Sequence, residues 1–442
     1  MNSTRQKIAV VGSGISGLSA AWALKDKADV TVFEADNRFG GHAKTVTVDY
    51  AGAHIDVDVG FIVCNPLNYP NFMRFMDELG VETMQSDMSF SVSDPAAFEW
   101  SSNPNGIFAY KRNFFRPSFL RLLRDIFRFN AKAREAAGDD ALPSNMTLAE
   151  YLDDIGMSED FRANYIYPMG AAIWSTPEAK MMDYPARSFL RFFNNHRLLH
   201  TERPQWRTVK GGSQAYVSKL VSQLGNRARM NAAVTRVDRT SDGVRISVNG
   251  GTEDFDHVIL ACHVHQVQDI LGDGFEYQAN SLARSRVNEN VAYLHRDAAL
   301  MPKRKRAWAA WNVLKGETQK ITLSYWMNIL QSIDKDKPLF VTLNPETPPQ
   351  SDLTFGRFEF THPMFDLAAG EAVEAMETYN GRDGLWFAGA WLGHGFHEDG
   401  LKSGLRVALA LGAELPWEPV GIAPIAPTPV ISEAQSASVA AQ

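Results

Sequence analysis

The chain opens with a short apolar run, followed by a stretch in which apolar residues recur at helical spacing. Residues 7–11 (KIAVV) predict a buried strand and residues 15–24 (ISGLSAAWAL) predict a helix, with a glycine-rich turn between them. A second apolar run, DVTVFEAD, predicts another strand that ends near Glu34. This order of elements is typical of a parallel α/β unit.

Three glycines, Gly12, Gly14 and Gly17, lie on that turn. Gly12 permits a tight turn, Gly14 lets the backbone approach a phosphate, and Gly17 lets the helix pack closely on the strand, while the helix N-terminus offers N–H groups to an anion. Glu34 follows Gly14 by 20 residues, the spacing at which an acid can bind a ribose hydroxyl. The pattern predicts an adenine dinucleotide site, and a βαβ unit without a ligand is the alternative.

Further along the chain, the pattern changes five times. TVTVDYAGAHIDVDVGFIV alternates like an antiparallel hairpin, and a helical region follows in which TLAEYLDDIG begins with a Thr cap. Strands joined by Asp-Gly and Gly-Gly turns come next, then aromatic strand-like segments, and finally a strand, a glycine-rich loop and a helix starting near Asp399.

These changes predict two domains whose segments alternate along the sequence. We expect a dinucleotide-binding domain formed by residues 1–65, 206–265 and 381–416, and a substrate domain formed by residues 66–205 and 266–380. Residues 417–442, rich in Pro, Ala and Ser, are expected to form a disordered tail.

Composition narrows the class of protein. The 442 residues carry a net charge of −7, so the chain as a whole is not built to bind nucleic acid. Only Cys64 and Cys262 occur, without zinc spacing, which predicts a reducing compartment and no metal. Neither a signal peptide nor an apolar run long enough for a membrane span is predicted, so we expect a cytoplasmic protein; its oligomeric state stays open.

One segment has the opposite charge to the whole. Residues 111–134 (KRNFFRPSFLRLLRDIFRFNAKAR) hold eight Lys or Arg and one Asp, a local charge of +7. Apolar residues recur at helical spacing between the arginines, with Pro117 in the first turn. This basic amphipathic helix predicts either peripheral contact with the inner face of the cell membrane or a helix packed on its own domain with a solvated basic face.

Several stretches together resemble the FAD-dependent amine oxidase and phytoene desaturase superfamily. They are VVGSGISGLSAAWAL, EADNRFGGHAKT, the GG of VKGGSQAYV, DHVILA and LWFAGA with EDGLKSG. The resemblance implies an α/β fold in which a Rossmann-like, GR2-type FAD-binding domain is interleaved with an α+β substrate domain. Because neither cysteine lies near the C-terminal flavin segment, we expect noncovalent FAD.

The resemblance also implies which residues contact FAD. In the order of the chain they are Gly12, Gly14, Ile15, Ser16, Gly17, Glu34, Ala35, Arg38, Gly40, Gly41, His42, Val237, Gly389, Asp399, Gly400 and Leu401. Two positions depart from the usual pattern. His42 replaces an arginine, so a neutral ring would have to donate to a phosphate or the flavin edge, and Ala390 replaces an acid. A buried histidine bonded to backbone is the alternative for His42.

Shorter stretches, among them YPNFMRFMDELGV and GFHEDGLKSG, resemble a bacterial subgroup linked to cyclopropane, methyl-branched and furan fatty acid genes. That subgroup implies desaturation of a lipid acyl chain, with a methyltransferase as a possible partner. The alternatives are an amine oxidase, a redox-neutral flavoprotein isomerase, and a flavin-binding partner without catalytic activity.

Dehydrogenation of a carbon chain also needs a base for a proton. The titratable groups beside the expected flavin are His394, His397 and Glu398, and we prefer His397 because an imidazole accepts a proton near neutral pH. Tyr325 and Trp326 could wall a substrate pocket. Lys303 and Lys305 lie in MPKRKRAW, which is typical of a solvated basic turn.

Overall fold

The computed structural model describes residues 5–94, 98–138, 142–143, 145–174, 178–202, 204–316 and 321–425. In chain order, its strands are β1 (Lys7–Val11), β2 (Asp29–Phe33), β3 (Thr45–Tyr50), β4 (Ala53–Asp58), β5 (Thr83–Gln85), β6 (Phe90–Asp94), β7 (Phe98–Ser101), β8 (Arg207–Val209), β9 (Ala228–Arg229), β10 (Val234–Arg239), β11 (Val244–Val248), β12 (Gly251–Phe255), β13 (His257–Leu260), β14 (Val287–His295), β15 (Trp311–Lys315), β16 (Ile321–Trp326), β17 (Phe340–Leu343), β18 (Thr354–Pro363) and β19 (Leu385–Phe387).

The helices, numbered in the same way, are α1 (Ile15–Leu24), α2 (Pro70–Leu79), α3 (Pro117–Ala136), α4 (Leu148–Asp154), α5 (Glu159–Phe161), α6 (Tyr167–Trp174), α7 (Glu178–Met181), α8 (Ala186–Asn195), α9 (Gln214–Leu224), α10 (Val264–Ile270), α11 (Glu276–Leu282), α12 (Met327–Leu330), α13 (Leu367–Tyr379) and α14 (His397–Ala410). A 3₁₀ turn, Lys111–Phe115, precedes α3. The capping box predicted at Thr147 is confirmed, since its hydroxyl accepts from the Glu150 N–H and the Glu150 carboxylate accepts from the Thr147 N–H.

The chain forms two compact units, each built from separated segments. The first holds residues 5–41, 217–286 and 365–425, and the second holds the described residues within 42–216 and 287–364.

These bounds differ from the predicted ones. The hairpin β3–β4 belongs to the second unit because Asp58, at its end, bonds Ser213 and Gln331. The first unit keeps α10, α11 and α13, which lie between strands of the same sheet in sequence. The predicted tail from residue 417 is wrong up to residue 425, because Trp417 stacks on Trp22 with ring centroids 5.9 Å apart. Residues 426–442 lie outside the described part.

A five-stranded parallel sheet forms the centre of the first unit, in the order β19–β13–β1–β2–β9. Its inner strands are apolar on both faces, as the continuous runs predict, and Ile8, Val10 and Ile259 are fully buried. Helix α1 is apolar nearly all round and is buried accordingly. A three-stranded antiparallel sheet, β10–β11–β12, completes the unit.

The second unit contains a seven-stranded mixed sheet in the order β18–β14–β17–β16–β15–β6–β7. Cross-strand register places apolar side chains together on one face: Phe90, Val92, Trp311, Val313, Leu323 and Tyr325. The opposite face carries buried polar residues that bond one another, such as Ser91 to Asn312 at 2.8 Å and Ser324 to Thr342 at 2.7 Å. The predicted hairpin is confirmed, with β3 antiparallel to β4.

A buried carboxylate, Asp58, holds several elements of the second unit together. It accepts from the Thr45 hydroxyl at 2.7 Å, the Ser213 N–H at 2.9 Å and the Gln331 amide at 3.0 Å. The Gln331 amide oxygen accepts from the Asp58 N–H in return, at 2.8 Å. Burial raises the pKa of Asp58 to about 6, although these hydrogen bonds oppose the shift.

Candidate functional site

The turn between β1 and α1 can be built only with glycine at two positions. Gly12 has φ +105°, and a Cβ there would lie 2.9 Å from the Ala261 backbone. A Cβ on Gly17 would lie 2.0 Å from the Gly12 carbonyl oxygen, so α1 could not pack as closely on the turn. The predicted reasons for these glycines, a tight turn and close packing, both hold in the structure.

Gly14 is the N-cap of α1 and faces open space. A Cβ built there would have no neighbour within 4 Å among the residues that the structure describes, Gly14 offers no capping side chain, and α1 carries no acidic residue in its first turn. Ile15 and Ser16 begin the helix, so its first N–H groups have no intrahelical acceptor. The turn therefore has the shape and the positive end of a helix dipole that suit a phosphate.

The acid that follows β2 is tied to this turn. The Glu34 carboxylate accepts from the Ser13 N–H at 3.1 Å, from the Ser13 hydroxyl, and from the Asp36 N–H at 2.9 Å. A carboxylate has about four acceptor positions, so one is left for a ribose hydroxyl. Ala35, the next residue, is exposed.

The loop after Glu34 closes against the turn. The Ser13 hydroxyl accepts from the Gly40 N–H at 3.1 Å, and a Cβ on Gly41 would lie 3.2 Å from the Gly14 Cα. The Arg38 guanidinium donates to the Gly41 carbonyl at 2.6 Å, and burial lowers its pKa. Arg38 thus holds the loop in shape, in addition to any contact it makes with a ligand.

The C-terminal helix reaches the same place. A Cβ on Gly400 would lie 2.8 Å from the Ile15 side chain, and one on Gly404 would lie 2.1 Å from the Ser16 carbonyl oxygen. These glycines let α14 pack on α1 with the two N-termini side by side, near the carboxyl ends of β1 and β19. Leu401, between them, is fully buried.

An acidic residue organises the loop before α14. Asp399 accepts from the backbone N–H groups of His394 and Phe396, both at 3.1 Å. The helix begins at His397, two residues earlier than predicted, because Asp399 caps it from inside the first turn. Asp399 accepts from the N–H groups of the N-cap residue, Phe396, and of His394 in the loop. The N–H groups in the first turn of α14 are therefore left to other partners.

The indole N–H of Trp391, just after the strand β19, is buried without an acceptor among the described residues. The Gly389 N–H donates to the Ser403 hydroxyl at 2.9 Å, and a Cβ on Gly389 would lie 2.3 Å from the indole Nε1 of Trp391. That Nε1 is buried and has no acceptor among the described residues. A buried N–H without a partner is costly, so an acceptor atom from a cofactor fits beside Gly389.

The three candidate bases, His394, His397 and Glu398, lie on one stretch that runs from the loop into α14. His394 is exposed on the loop, while His397 and Glu398 are the first residues of α14, half-buried and buried. Tyr325 belongs to the second unit, where its ring meets Trp311 edge-on at 5.0 Å and burial raises its pKa.

Val237, the residue expected to contact adenine, lies within a strand of the first unit. Val237 is fully buried inside β10 and its carbonyl accepts from the Gly272 N–H at 2.8 Å, so it is engaged in the fold. The backbone beside Glu34 is that of Asn231 and Ala232, where the Ala232 N–H donates to the Glu34 carbonyl at 2.8 Å. The adenine contact expected at Val237 stays a prediction.

His42 is the first residue of the second unit. Its Nε2 bonds the Thr361 carbonyl at 3.1 Å and its ring packs on Phe360 and His362. Because a carbonyl only accepts, Nε2 carries the proton, and Nδ1 of a neutral ring can then only accept. The donor role predicted for His42 therefore stays a prediction that requires the protonated ring.

Sequence reasoning missed three residues of this site: Ser13, Trp391 and Ser403. Ser13 stands between two glycines of the turn, a place where a hydroxyl can reach the acid of the next strand. Ser403 and Trp391 gave no such indication, since their roles depend on α14 approaching β19. Across the described ranges, no three His, Cys, Asp or Glu side chains lie together as metal ligands.

The site combines a glycine turn at one helix N-terminus, an acid at the end of the next strand, and a second helix N-terminus beside the first. Together these features define an α/β dinucleotide-binding protein. The chain belongs to the flavin-containing amine oxidoreductase family, which it matches over residues 15–338. The predicted superfamily and the predicted cofactor, FAD, are thereby confirmed.

Relatives of known assignment are distant. A Mycobacterium tuberculosis protein assigned as the flavin-containing monoamine oxidase AofH is 28% identical over 267 residues, which cover 58% of this chain and 56% of that protein. Dog flavin-containing amine oxidase A (Canis lupus familiaris) is 27% identical over 271 residues, covering 58% of this chain and 48% of that protein. The chain thus matches about half the length of these relatives.

Solved structures share the fold over nearly the whole chain. Putrescine oxidase bound to putrescine has a TM-score of 0.64 at 17% identity, covering 92% of this chain and 98% of that one. The CLA-producing fatty acid isomerase from P. acnes has a TM-score of 0.65 at 15% identity, covering 93% and 100%. The predicted fold class is confirmed.

Proposed function

We propose that this chain is an FAD-dependent dehydrogenase that desaturates a carbon chain, with a methyl-branched or unsaturated fatty acyl group of a lipid as its substrate. The observation that carries the proposal is the apolar face of the sheet in the second unit. Trp311 and Tyr325 lie opposite each other there, and Val313 lies opposite Leu323. Tyr325, Val313 and Leu323 are buried, and Trp311 is half-buried, so an alkyl chain would meet this face at Trp311. Such a face suits an alkyl chain, whereas a charged amine needs a carboxylate or an aromatic cage.

The shared fold is compatible with this substrate class. One of the solved structures is a fatty acid isomerase, so this fold accommodates fatty acids in at least that protein. At 15% identity this likeness concerns the fold, and the substrate proposed here rests on the chain's own residues.

Bound FAD would supply the acceptor for the hydride that leaves one carbon. The neighbouring carbon loses a proton, and the C=C bond forms between them. The chain must take that proton, and His394, His397 and Glu398 are its candidates at the start of α14. Asp399 fixes the backbone on the N-terminal side of His397, our preferred base.

The glycine turn and Glu34 would hold the adenosine and pyrophosphate portions of FAD. Trp391 Nε1 and the first turn of α14 would donate hydrogen bonds at the other end. Donors and a helix N-terminus there stabilise negative charge, which favours acceptance of electrons.

The experiment uses the purified, FAD-loaded protein under anaerobic conditions. We expect phospholipid vesicles with methyl-branched chains to bleach the visible flavin band and to yield acyl chains lighter by two hydrogens, while saturated straight chains and putrescine do neither. Bleaching by amines would favour an amine oxidase. A product of unchanged mass would favour an isomerase, and intact flavin with no product would favour a non-catalytic partner; each outcome overturns the proposal.

The base is tested separately. We expect His397→Ala to lower the rate of bleaching by about 100-fold, since general bases contribute 10²–10⁴, with FAD still bound. His394→Ala is the matched control on the same loop and should change the rate little. Equal losses in both variants would contradict the assignment to His397.

Association with a methyltransferase that produces the branched chain stays a proposal. Co-purification of the two proteins, compared with a methyltransferase of a different substrate class, would test it.

A further inference from the structure

Four apolar side chains of the second unit, in the segment 111–134, are largely exposed. In the 3₁₀ turn Lys111–Phe115, Phe114 is 58% exposed and Phe115 84% exposed. On α3, Leu120 is 48% exposed and Phe127 71% exposed. Exposed aromatic side chains grouped in this way mark an interaction surface.

The helix has two clearly different faces. Phe119, Leu122, Phe129 and Ala133 are buried and attach α3 to its unit. Leu120 and Phe127 are seven residues apart, so they lie on one line along the opposite face, and Arg124 lies between them. The packed-helix alternative explains the inner face, and it leaves the outer apolar residues unexplained.

Basic side chains surround these apolar residues. Lys111, Arg112 and Lys132 are exposed and have no ion-pair partner among the described residues. Arg121 lies 3.5 Å from Asp160, and Arg124 pairs with the buried Asp125 at 3.1 Å. The segment keeps a large excess of positive charge, because 111–134 holds eight Lys or Arg and one Asp in a chain of net charge −7.

We propose that this surface, defined as the turn Lys111–Phe115 with the outer face of α3, docks on an anionic phospholipid bilayer. Phe114, Phe115 and Phe127 would enter the boundary between headgroups and acyl chains, and the basic side chains would contact lipid phosphates. Charge complementarity selects this occupant, since a strongly positive surface with apolar side chains in its midst matches an anionic leaflet. Across the described ranges, no helix has both the length and the apolar character needed to cross a membrane.

The proposal does not depend on the substrate. Binding to vesicles is measured without turnover. It can therefore be observed even if the protein is an amine oxidase, and it can be absent even if the protein is a desaturase. Turnover of a detergent-dispersed substrate tests the proposed function without the bilayer, and the two failures are therefore distinguishable.

The experiment is vesicle flotation of the FAD-loaded protein. We expect binding to vesicles of phosphatidylcholine with phosphatidylglycerol at low salt, weaker binding at high salt, and no binding to phosphatidylcholine alone. Lys111→Gln with Arg112→Gln should weaken binding by about 30-fold, since each basic residue contributes about fivefold. Phe115→Ser with Phe127→Ser should weaken it by about tenfold or more.

Matched controls carry the same changes elsewhere. Lys219→Gln with Lys335→Gln removes two exposed lysines outside the surface, and Met230→Ser removes an exposed apolar side chain. Both should bind like the wild type, and all variants should retain FAD. The proposal is overturned by absence of binding at every salt concentration or by equal binding of all variants. It is also overturned if the Phe variants change only the oligomeric state, which would make the surface a protein interface.

Discussion

The contact between α14 and α1 can be broken by one methyl group. In Gly404→Ala the new Cβ would lie 2.1 Å from the Ser16 carbonyl oxygen and 2.5 Å from the Ser19 hydroxyl. An ordinary contact needs more than 3.4 Å, so the helices must separate by about 1 Å. Overpacking of this kind typically costs about 1–3 kcal/mol, partly offset by the better helix propensity of alanine, about 1 kcal/mol.

The same separation moves the N-terminus of α14 away from that of α1. If both hold FAD, we expect the FAD dissociation constant to rise by about tenfold or more, which corresponds to 1.4 kcal/mol. Titration of the apoprotein, followed by quenching of flavin fluorescence, measures this change, and thermal unfolding measures the loss of stability.

Gly370→Ala is the matched control. Gly370 also lies inside a helix, α13, and a Cβ there would have no neighbour within 4 Å in the described part of the chain. This variant should be as stable as the wild type or slightly more so, with unchanged FAD affinity. If Gly404→Ala behaves like Gly370→Ala, the two helix starts do not pack as described, and the site built on them is wrong.

Three further variants test other parts of the structure. Asp58→Asn tests the raised pKa of Asp58: because the folded pKa of about 6 exceeds the ordinary 3.8, the wild type loses stability as pH rises between these values. Relative to the wild type, the variant should therefore gain about 3 kcal/mol in its free energy of unfolding by urea between pH 3.8 and pH 7. A difference between the two proteins that does not vary with pH would contradict the shift. Glu34→Ala should weaken FAD binding by about 10- to 100-fold, since it removes the acceptor of the Ser13 N–H, of the Ser13 hydroxyl and of a ribose hydroxyl. The control Asp36→Ala loses only an exposed side chain and should bind FAD like the wild type. Asp399→Ala should destabilise the protein by about 1–2 kcal/mol in thermal unfolding, because the N–H groups of His394 and Phe396 lose their acceptor. Asp399→Asn keeps one oxygen and should recover part of that stability. An equal loss of stability in both variants would show that the charge, and not the acceptor, matters.

Several features of this protein depend only on residues close together in sequence, and these could be predicted. The turn with Gly12 and Gly17 is one of them, because its conformation and packing exclude a Cβ. The capping box at Thr147 and the hairpin β3–β4 are others, since a cap and an alternating pattern are each complete within a few residues. Glu34 belongs here as well, because a strand–helix–strand unit fixes the distance between its turn and its acid.

What the sequence by itself determined, therefore, is where apolar faces lie along the chain and what the local elements are. Only the tertiary structure decided what each buried face packs against: that Gly404 meets Ser16, that Trp391 Nε1 finds no acceptor among the described residues, and that the Val237 carbonyl accepts from Gly272. The physical reason is that periodicity identifies an apolar face without identifying its neighbour. That neighbour is set by chain segments hundreds of residues away, whose packing is a property of the whole fold.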